Sequence, residues 1–152
     1  MTYQIISERR LKYTETLNNP VNVFELLKRY GSCQQEQFIV LTVNSMLKPL
    51  SVSITHIGTV DRILVHPREI FIKAIADKAI GIIVAHNHPS GNLCPSDEDL
   101  RLTKNIIKCG LIIGIKLIDH IIFSKNGYYS MKEENKFPKI REESENQLIC
   151  RD

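Results

Sequence analysis

The sequence predicts a mixed α/β fold in which one central sheet is covered by helices. Ala79–Ala85 is an apolar segment cut off by a nearby Pro and Gly, which is typical of a central strand buried on both faces. Segments with helical periodicity precede and follow it. Asn126-Gly127 is the pair of residues that a tight hairpin prefers. Both kinds of element in one short chain indicate a single layered domain.

The N-terminal part is predicted to be an extension followed by a short helix. Residues 1–20 hold an apolar-polar stretch, Tyr3–Ser7, and end at the turn signal Asn18-Asn19-Pro20. Asn22 can cap the helix, and Gly31 is expected to end it. The apolar residues of this segment recur at helical spacing: Val23, Leu26, Leu27 and Tyr30.

Two strands and a second helix come next. Phe38–Val43 is rich in β-branched residues, and Ser51–Ile57 alternates strictly between apolar and polar residues. We therefore expect a hairpin of two strands, the second with one face in water. Pro67 begins a helical pattern. Its apolar face holds Ile70, Phe71, Ala74 and Ile75, and its polar face holds Lys73, Asp77 and Lys78.

A third helix is expected to begin at Ser96 and to end at Gly110. Its charges suit the helix dipole, with Asp97, Glu98 and Asp99 in the first turn and Lys104 and Lys108 near the end. Ile115–Phe123 predicts a further strand, which the hairpin turn joins to Tyr128–Met131. The folded domain is therefore placed at 21–131. Residues 132–152 are expected to form a charged tail that is loosely ordered, or a partner-facing helix, beyond Pro138.

Composition excludes several classes of protein. The chain has 152 residues, of which 43% are hydrophobic and 24% charged, and this is too apolar for disorder. Its apolar runs are far shorter than the roughly 20 residues of a membrane helix, and its start lacks a secretion signal. We expect a cytoplasmic protein with no membrane partner. A net charge of +3 is too small to indicate nucleic acid, and the four scattered cysteines cannot build a zinc ribbon.

The run HNHPSGNLCPSDED, from His86 to Asp99, carries most of the chemical information. Two histidines at i and i+2 of an extended segment point to the same side. They follow a buried strand, at the kind of sheet edge where α/β proteins place their sites. Asp99 comes three residues after the expected N-cap Ser96, so it can project back toward the loop. Two imidazoles and one carboxylate with an open fourth position are a ligand set of catalytic zinc.

Other interpretations of these residues stay open at this point. Ser96-x-x-Asp99 also fits a capping box, in which both side chains satisfy backbone N–H groups. Histidines at the end of a strand are often packed or solvated without binding anything. An Fe(II) site uses the same ligand types. The zinc deaminase signature, H-E-x-x-H, Walker A and G-x-G-x-x-G are all absent from the sequence.

The complete pattern resembles a known family. His86-x-His88-Pro89 followed by Ser96-x-x-Asp99 resembles the JAMM signature of the JAB/MPN metallopeptidases. The fuller pattern HNHPSG…PS…D resembles their RadC-like branch, the UPF0758 or "DNA repair protein RadC" family. The resemblance runs from Gln35 to Ser130. It also takes in Glu36-Gln37-Phe38, Gly58-Thr59, Pro67-Arg68-Glu69-Ile70-Phe71, Thr103, Gly110, Asp119-His120 and Tyr129-Ser130.

The resemblance implies a fold, a metal site and a reaction. The fold is the JAB/MPN (cytidine-deaminase-like) α/β/α sandwich, a mixed sheet flanked by helices. His86, His88 and Asp99 match the zinc ligands. Ser96 matches the serine that helps to hold the tetrahedral oxyanion, and Glu36 matches the glutamate that moves a proton from water to the leaving amine. The implied activity is zinc-dependent cleavage of a peptide or isopeptide bond in a peptide or protein substrate.

Four neighbouring residues have open roles. Glu69 competes as an acid, but its place in the first turn of a helix explains its charge. Asp119 or His120 could orient a metal ligand, because bound histidines usually donate their other N–H, and a structural role at a strand end fits equally well. Cys94 could approach the metal or act as a small apolar filler.

Two alternatives to an amide hydrolase are a binding module and a nuclease. The first is a non-catalytic module for nucleic acid or protein in a DNA-repair complex, with a structural metal. The longer members of the family carry an N-terminal helical portion resembling a helix-hairpin-helix element. Only 37 residues precede Phe38 here, so we expect little direct binding of DNA. The second is a metal-dependent nuclease. The sequence leaves the oligomeric state open, with a dimer as one option.

Overall fold

A computed structural model describes residues 8–10, 15–58 and 65–140. In these ranges one sheet of six strands has the order β1-β3-β2-β4-β5-β6. The strands are β1 (Glu8–Arg10), β2 (Glu36–Val43), β3 (Pro49–Gly58), β4 (Gly81–Asn87), β5 (Lys116–Ser124) and β6 (Gly127–Ser130). The helices of these ranges are α1 (Pro20–Leu27), α2 (Pro67–Ala76) and α3 (Asp97–Ile113). Strands β4 and β5 are parallel and all other pairs are antiparallel. The predicted mixed α/β class is confirmed.

Helices cover both faces of the sheet. Helix α1 packs on one face, where Leu27 meets a cluster that includes Ile39 and Ile83. Helices α2 and α3 pack on the other face, where Phe71 and Ile106 join a second cluster. The two clusters take alternate residues of each central strand, as the pleat requires. This α/β/α layering agrees with the JAB/MPN fold that the resemblance implied. None of the helices in the described ranges has the length and apolar character that a membrane span needs.

The buried central strand was predicted correctly but lies two residues further along the chain. All residues of β4 are buried, and it continues through His86 and Asn87. The expected hairpin of β2 and β3 is also confirmed by their antiparallel pairing. The expectation that one face of β3 is wet was wrong for its first half. Ser51–Ile54 is buried at every position because the sheet is covered on both faces.

The start and end of α1 differ from the prediction. Its N-cap is Asn19 and not Asn22, because Pro20 takes the first helical position and the Asn19 side chain accepts a hydrogen bond from the Asn22 N–H at 2.9 Å. The α-helix ends at Leu27, and a short 3-10 turn leads on to Gly31. Gly31 is needed for close packing, since a Cβ there would lie 2.7 Å from the backbone of Ser124.

Two predictions about α2 and α3 were wrong in detail. Ile75, placed on the apolar face of α2, is 57% exposed, because the buried stripe follows Ile70, Phe71 and Ala74. Gly110 does not end α3, which continues to Ile113 and is capped by Gly114 in the left-handed conformation. Lys104 and Lys108 therefore lie in the middle of α3. Gly110 is buried, and a Cβ there would lie 2.4 Å from the carbonyl oxygen of Ile115.

Several predictions fall outside the described residues. They concern Tyr3–Ser7, Thr59 and the tail beyond residue 140, which holds Cys150, one of the four scattered cysteines. Within the predicted N-terminal extension, the backbone of β1 pairs with Ser51–Ser53 of β3.

Candidate metal centre

The two histidines of the HNH run lie at the end of β4 and face each other. Their Nε2 atoms are 3.0 Å apart. His86 is 1% exposed and stacks at 6.2 Å on the ring of Phe38, its cross-strand partner. His88 follows the strand, and its Nδ1 hydrogen-bonds to the carbonyl oxygen of Asn92. A carbonyl can only accept, so Nδ1 of His88 donates in this bond and its Nε2 is the nitrogen that faces His86.

Asp99 uses its two carboxylate oxygens for different purposes. Oδ2 accepts hydrogen bonds from the backbone N–H and from the hydroxyl of Ser96, both at 2.8 Å. The Ser96 hydroxyl also accepts from the Asp99 N–H at 3.1 Å, so the capping box predicted as an alternative is present. Oδ1 lies 3.3 Å from Nε2 of His86. The carboxylate therefore caps α3 and faces His86 at the same time.

His86 and Ser96 also decide the charge of Asp99. Burial raises the pKa of this carboxyl group, but the hydrogen bond and charge of His86 and the two hydrogen bonds from Ser96 outweigh that effect. The pKa of Asp99 is thus held well below its ordinary value, and the group is an anion at neutral pH.

Glu36 is the first residue of β2 and points into the same space. Its side chain is 3% exposed, and Oε1 lies 3.9 Å from Nε2 of His86 and 4.0 Å from Nε2 of His88. Burial raises the pKa of Glu36, the charge of His88 lowers it, and that of Asp99 raises it further, for a net rise. Its Oε2 atom is buried without a hydrogen-bond partner among the described residues. A buried polar atom with no partner is costly, which indicates that a ligand completes this site.

The spacings of His86 from His88 and from Asp99 fit those of ligands on a metal ion. Ligands bound at 2.0–2.1 Å to a tetrahedral zinc ion are about 3.3 Å apart. The Nε2 atoms of the two histidines, at 3.0 Å, and Oδ1 of Asp99, at 3.3 Å from His86, are close to that spacing. Glu36 lies further from both nitrogens, at 3.9 and 4.0 Å, which leaves space for a group between them.

The most compact set of donors differs in one member from the predicted ligands. Glu36, His86 and His88 have ligand atoms that all lie within 4.8 Å of one another, and they form a possible metal site. Asp99 adjoins this set through its contact with His86. The ligand set His86, His88 and Asp99 stays a prediction, as do the catalytic roles of Glu36 and Ser96. The hydroxyl of Ser96 is engaged with Asp99 in the helix cap.

A second row of side chains lies behind His86. Nδ1 of His86 is 2.9 Å from Nε2 of His120, which is fully buried on β5. Nδ1 of His120 is 2.6 Å from the hydroxyl of Thr103, and that hydroxyl is 2.6 Å from the carbonyl oxygen of Asp99. Burial, together with the charge of His86, lowers the pKa of His120 well below its ordinary value, so this imidazole is neutral.

The other three open residues do not reach His86 or His88 in the contacts described for them. Asp119 lies on the opposite face of β5, where it accepts hydrogen bonds from Ser130 and from the backbone N–H of Lys132. Of the pair considered for orienting a ligand, His120 is the one in contact with His86. Glu69 lies in the first turn of α2, and Cys94 is exposed in the loop before α3.

Asn87 is a residue that sequence reasoning missed. It stands between the two histidines, but its side chain points to the other face of the sheet and is fully buried. Oδ1 accepts the N–H of Gln37 at 2.6 Å, and Nδ2 donates to the carbonyl oxygens of Gln35 at 3.1 Å and Cys33 at 3.4 Å. These bonds hold the backbone on both sides of Glu36. No local pattern marked it, because the predicted strand ends at Ala85, two residues before Asn87.

Comparisons with known proteins match most of this chain. The family model described as "RadC-like JAB domain" matches residues 17–136. A "UPF0758 protein" of Finegoldia magna is 40% identical over 129 residues, which are 84% of this chain and 58% of that protein. One from Thermotoga maritima is 38% identical over 120 residues, 79% of this chain and 54% of that protein. One from Clostridium botulinum is 41% identical over 119 residues, 78% and 52% of the two chains. The chain thus spans about half the length of these relatives.

Proposed function

Because this chain belongs to the RadC-like JAB domain family, we propose that it is a metal-dependent hydrolase that cleaves an amide bond in a peptide or protein. The observation that carries the proposal is the convergence of two imidazole nitrogens, 3.0 Å apart, beside an ionised Asp99 and a buried Glu36. The first three of these groups are a zinc ligand set with room for a further ligand.

We propose that His86, His88 and Asp99 hold Zn²⁺. When bound, zinc lowers the pKa of water toward 7 and polarises the carbonyl group of a substrate. The side chains are well prepared for this task. His88 is fixed by its bond to Asn92 and Asp99 by the helix cap, and both lie close to His86.

Glu36 is proposed as the residue that moves protons. A general base works best when its pKa is close to the operating pH, and burial shifts the pKa of Glu36 upward in that direction. Its Oε1 atom lies within 4.0 Å of both histidine Nε2 atoms, so a water molecule attacking a carbonyl group here is within its reach. Glu36 would accept the proton of that water and return it to the leaving amine. Ser96, at the N-cap of α3, is proposed to turn its O–H from Oδ2 of Asp99 toward the oxyanion that develops, while its backbone N–H keeps its bond to Oδ2.

Zinc binding and hydrolysis can be tested separately. The purified protein should bind about one zinc ion per chain, measured by titration and elemental analysis, and should cleave members of a fluorogenic peptide and isopeptide library. His88→Ala should lose the metal and the activity while it keeps the fold. Glu36→Gln should keep the metal and lose the activity by a factor of about 100 or more. His66→Ala is a matched control, because His66 precedes α2 and its side chain makes no capping bond.

Three outcomes would count against the proposal. They are a protein that binds no zinc, a Glu36→Gln variant as active as the unchanged protein, and cleavage of DNA or RNA in place of peptides by a His88-dependent reaction. The third result would identify a nuclease. A protein that binds nucleic acid with no dependence on Glu36 or His88 would be the non-catalytic binding module.

A further inference from the structure

A cleft lies on the face of the sheet opposite the candidate metal centre, and we propose that it binds a cationic nitrogen carried on a short apolar chain. This chemistry belongs to an ammonium or guanidinium group, either of a small molecule or of a Lys or Arg side chain of a partner protein. The cleft has a volume of about 230 Å³ and lies between the start of α1 and residues of β4, β5 and β6. Its binding needs neither the proposed metal nor the proposed hydrolysis.

The cleft has a buried apolar floor and an exposed, charged rim. Leu17, Val23 and Ile83 line it and are buried, so an apolar chain can lie against them. Lys132 and Glu133 line its rim, where both are exposed and carry opposite charges. The volume equals that of about seven water molecules at roughly 30 Å³ each, which suits a chain of about four carbons with a charged head.

Two polar side chains of the floor offer acceptors only. Asp119 is 7% exposed, and its Oδ1 accepts the backbone N–H groups of His120 at 2.7 Å and Lys132 at 3.1 Å. Its Oδ2 accepts the hydroxyl of Ser130, and that hydroxyl in turn accepts the N–H of Glu133 at 3.0 Å. A carboxylate has about four acceptor positions, so one position on Oδ2 is left. The group that meets Asp119 and Ser130 in the cleft therefore has to be a donor.

Asp119 also lacks a close cation in the contacts described for it. All three of its hydrogen bonds come from neutral donors. Burial raises the pKa of Asp119, and these bonds together with the charge of Lys132 lower it by less, so the pKa is raised overall. Asp77 is different, because its carboxylate already has the ammonium group of Lys73 at 2.9 Å. A buried carboxylate without such a partner is the one that gains from a cationic ligand.

Simple cations can test the cleft in metal-free protein. With a chelator present and the ionic strength held constant, n-butylammonium and n-butylguanidinium chlorides are titrated into ¹⁵N-labelled protein. We expect saturable shifts of the backbone amides of His120 and Lys132, which donate to Asp119, with a Kd in the millimolar range because the ligands are so small. n-Butanol and butyrate keep the apolar chain without a positive charge, and they should cause no saturable shift of these amides.

Two matched variants remove the charge of one carboxylate each. Asp119→Asn should weaken the binding of n-butylammonium at least about tenfold, because a buried partner of the cation is lost. Asp77→Asn should bind it within about twofold of the unchanged protein, since that carboxylate lies outside the cleft and has its own cation. Thermal unfolding shows whether each variant is folded. If Asp119→Asn does not fold, the comparison of n-butylammonium with n-butanol in the unchanged protein decides the question.

A pair of peptides distinguishes the two sources of the cation. Acetyl-Gly-Lys-Gly-amide carries the ammonium group on a peptide backbone, and the same peptide with norleucine in place of lysine is its control. Binding of the lysine peptide at least as tight as that of n-butylammonium indicates a side chain of a partner protein. Binding of the free cations alone indicates a small molecule.

Three results would overturn the proposed cleft function. They are the absence of saturable shifts at His120 and Lys132 with both cations, equal affinity of Asp119→Asn and Asp77→Asn, and shifts centred on Glu36 and His88, which would place the cation at the metal centre. Because all titrations use metal-free protein, a failure to bind zinc or to cleave peptides would refute the proposed function and leave these measurements unaffected.

Discussion

Replacing Asn87 with alanine would remove the side chain that holds the Glu36 segment to β4. The β2–β4 ladder begins at the pair Phe38 and His86, so the backbone before Phe38 has no ladder partner in β4. In place of ladder bonds, the side-chain amide of Asn87 makes three hydrogen bonds to the backbone of Cys33, Gln35 and Gln37. These bonds help to keep Glu36 in place, although its carboxylate is poorly solvated there.

The size of the effect follows from the bonds that would be lost. The N–H of Gln37 would be left in a half-buried place without an acceptor, which costs about 1–3 kcal/mol. The two carbonyl oxygens lie near solvent, where water can replace the amide, so each loses only about 0.5 kcal/mol. We therefore expect Asn87→Ala to lower the free energy of unfolding by about 2–4 kcal/mol, a large part of the stability of a domain of this size.

Urea unfolding of the metal-free protein measures this quantity, and Asn44 provides the control. Asn44 also accepts two backbone N–H groups, those of Met46 and Lys48, but it does so in the exposed turn between β2 and β3. Water can reach those groups, so Asn44→Ala should cost only about 0.5–1 kcal/mol. Hydrogen exchange of the Gln37 amide should become faster in Asn87→Ala and stay unchanged in Asn44→Ala. Equal losses of stability in the two variants would refute the reasoning.

Three further predictions concern other parts of the molecule. Burial raises the pKa of Asp77, but hydrogen bonds from Ser51, Thr42 and Lys73 outweigh burial and lower the pKa overall. The ionised Asp77 therefore stabilises the fold above about pH 4, and this stabilisation is lost as the pH falls through the lowered pKa. Asp77→Asn should cost about 1–2 kcal/mol at pH 7 and flatten the acid limb of a stability–pH curve measured by urea unfolding. Gly110→Ala should lower the melting temperature, because its Cβ would lie only 2.4 Å from the Ile115 carbonyl oxygen. This clash costs about 1–3 kcal/mol, which exceeds the gain of up to about 1 kcal/mol in helix propensity. An unchanged melting temperature would contradict this prediction. The raised pKa of Glu36 means that its ionised form opposes folding above that pKa. Glu36→Gln should therefore raise the melting temperature of chelator-treated protein at pH 7 and raise it less at pH 4.

The sequence was sufficient for the parts of the site that depend on local geometry. The two histidines face one way because side chains alternate along β4, and Asp99 returns to the loop because a helix cap places its third residue there. Neither relation needs knowledge of the rest of the fold. The role proposed for Glu36 came from the resemblance and not from the pattern, which placed Glu36 before a strand starting at Phe38, where a lone acid is usually solvated.

The side chains behind the site depend on contacts between distant parts of the chain. His120 reaches His86 because β5 lies parallel to β4 in one particular register, in which Val84 is opposite His120. Asn87 reaches Gln37 across 50 positions of sequence. Such registers are set by the packing of the complete sheet, and no periodicity within a single strand encodes them. The burial of Ile75 was wrongly predicted for the same reason. The periodicity of apolar residues in a helix does not say how wide a face of that helix its neighbours cover.

The two interpretations of Asp99, helix cap and metal ligand, do not compete. A cap needs one acceptor oxygen near the first turn, and a carboxylate has two oxygens. Oδ2 meets the backbone N–H of Ser96, while Oδ1 remains directed at His86. The cap therefore restrains the carboxylate before any metal arrives and, with its hydrogen bonds, helps to keep it ionised. A helix start is thus a favourable place for a metal ligand: the same bonds that begin α3 also fix the charge and the direction of the donor.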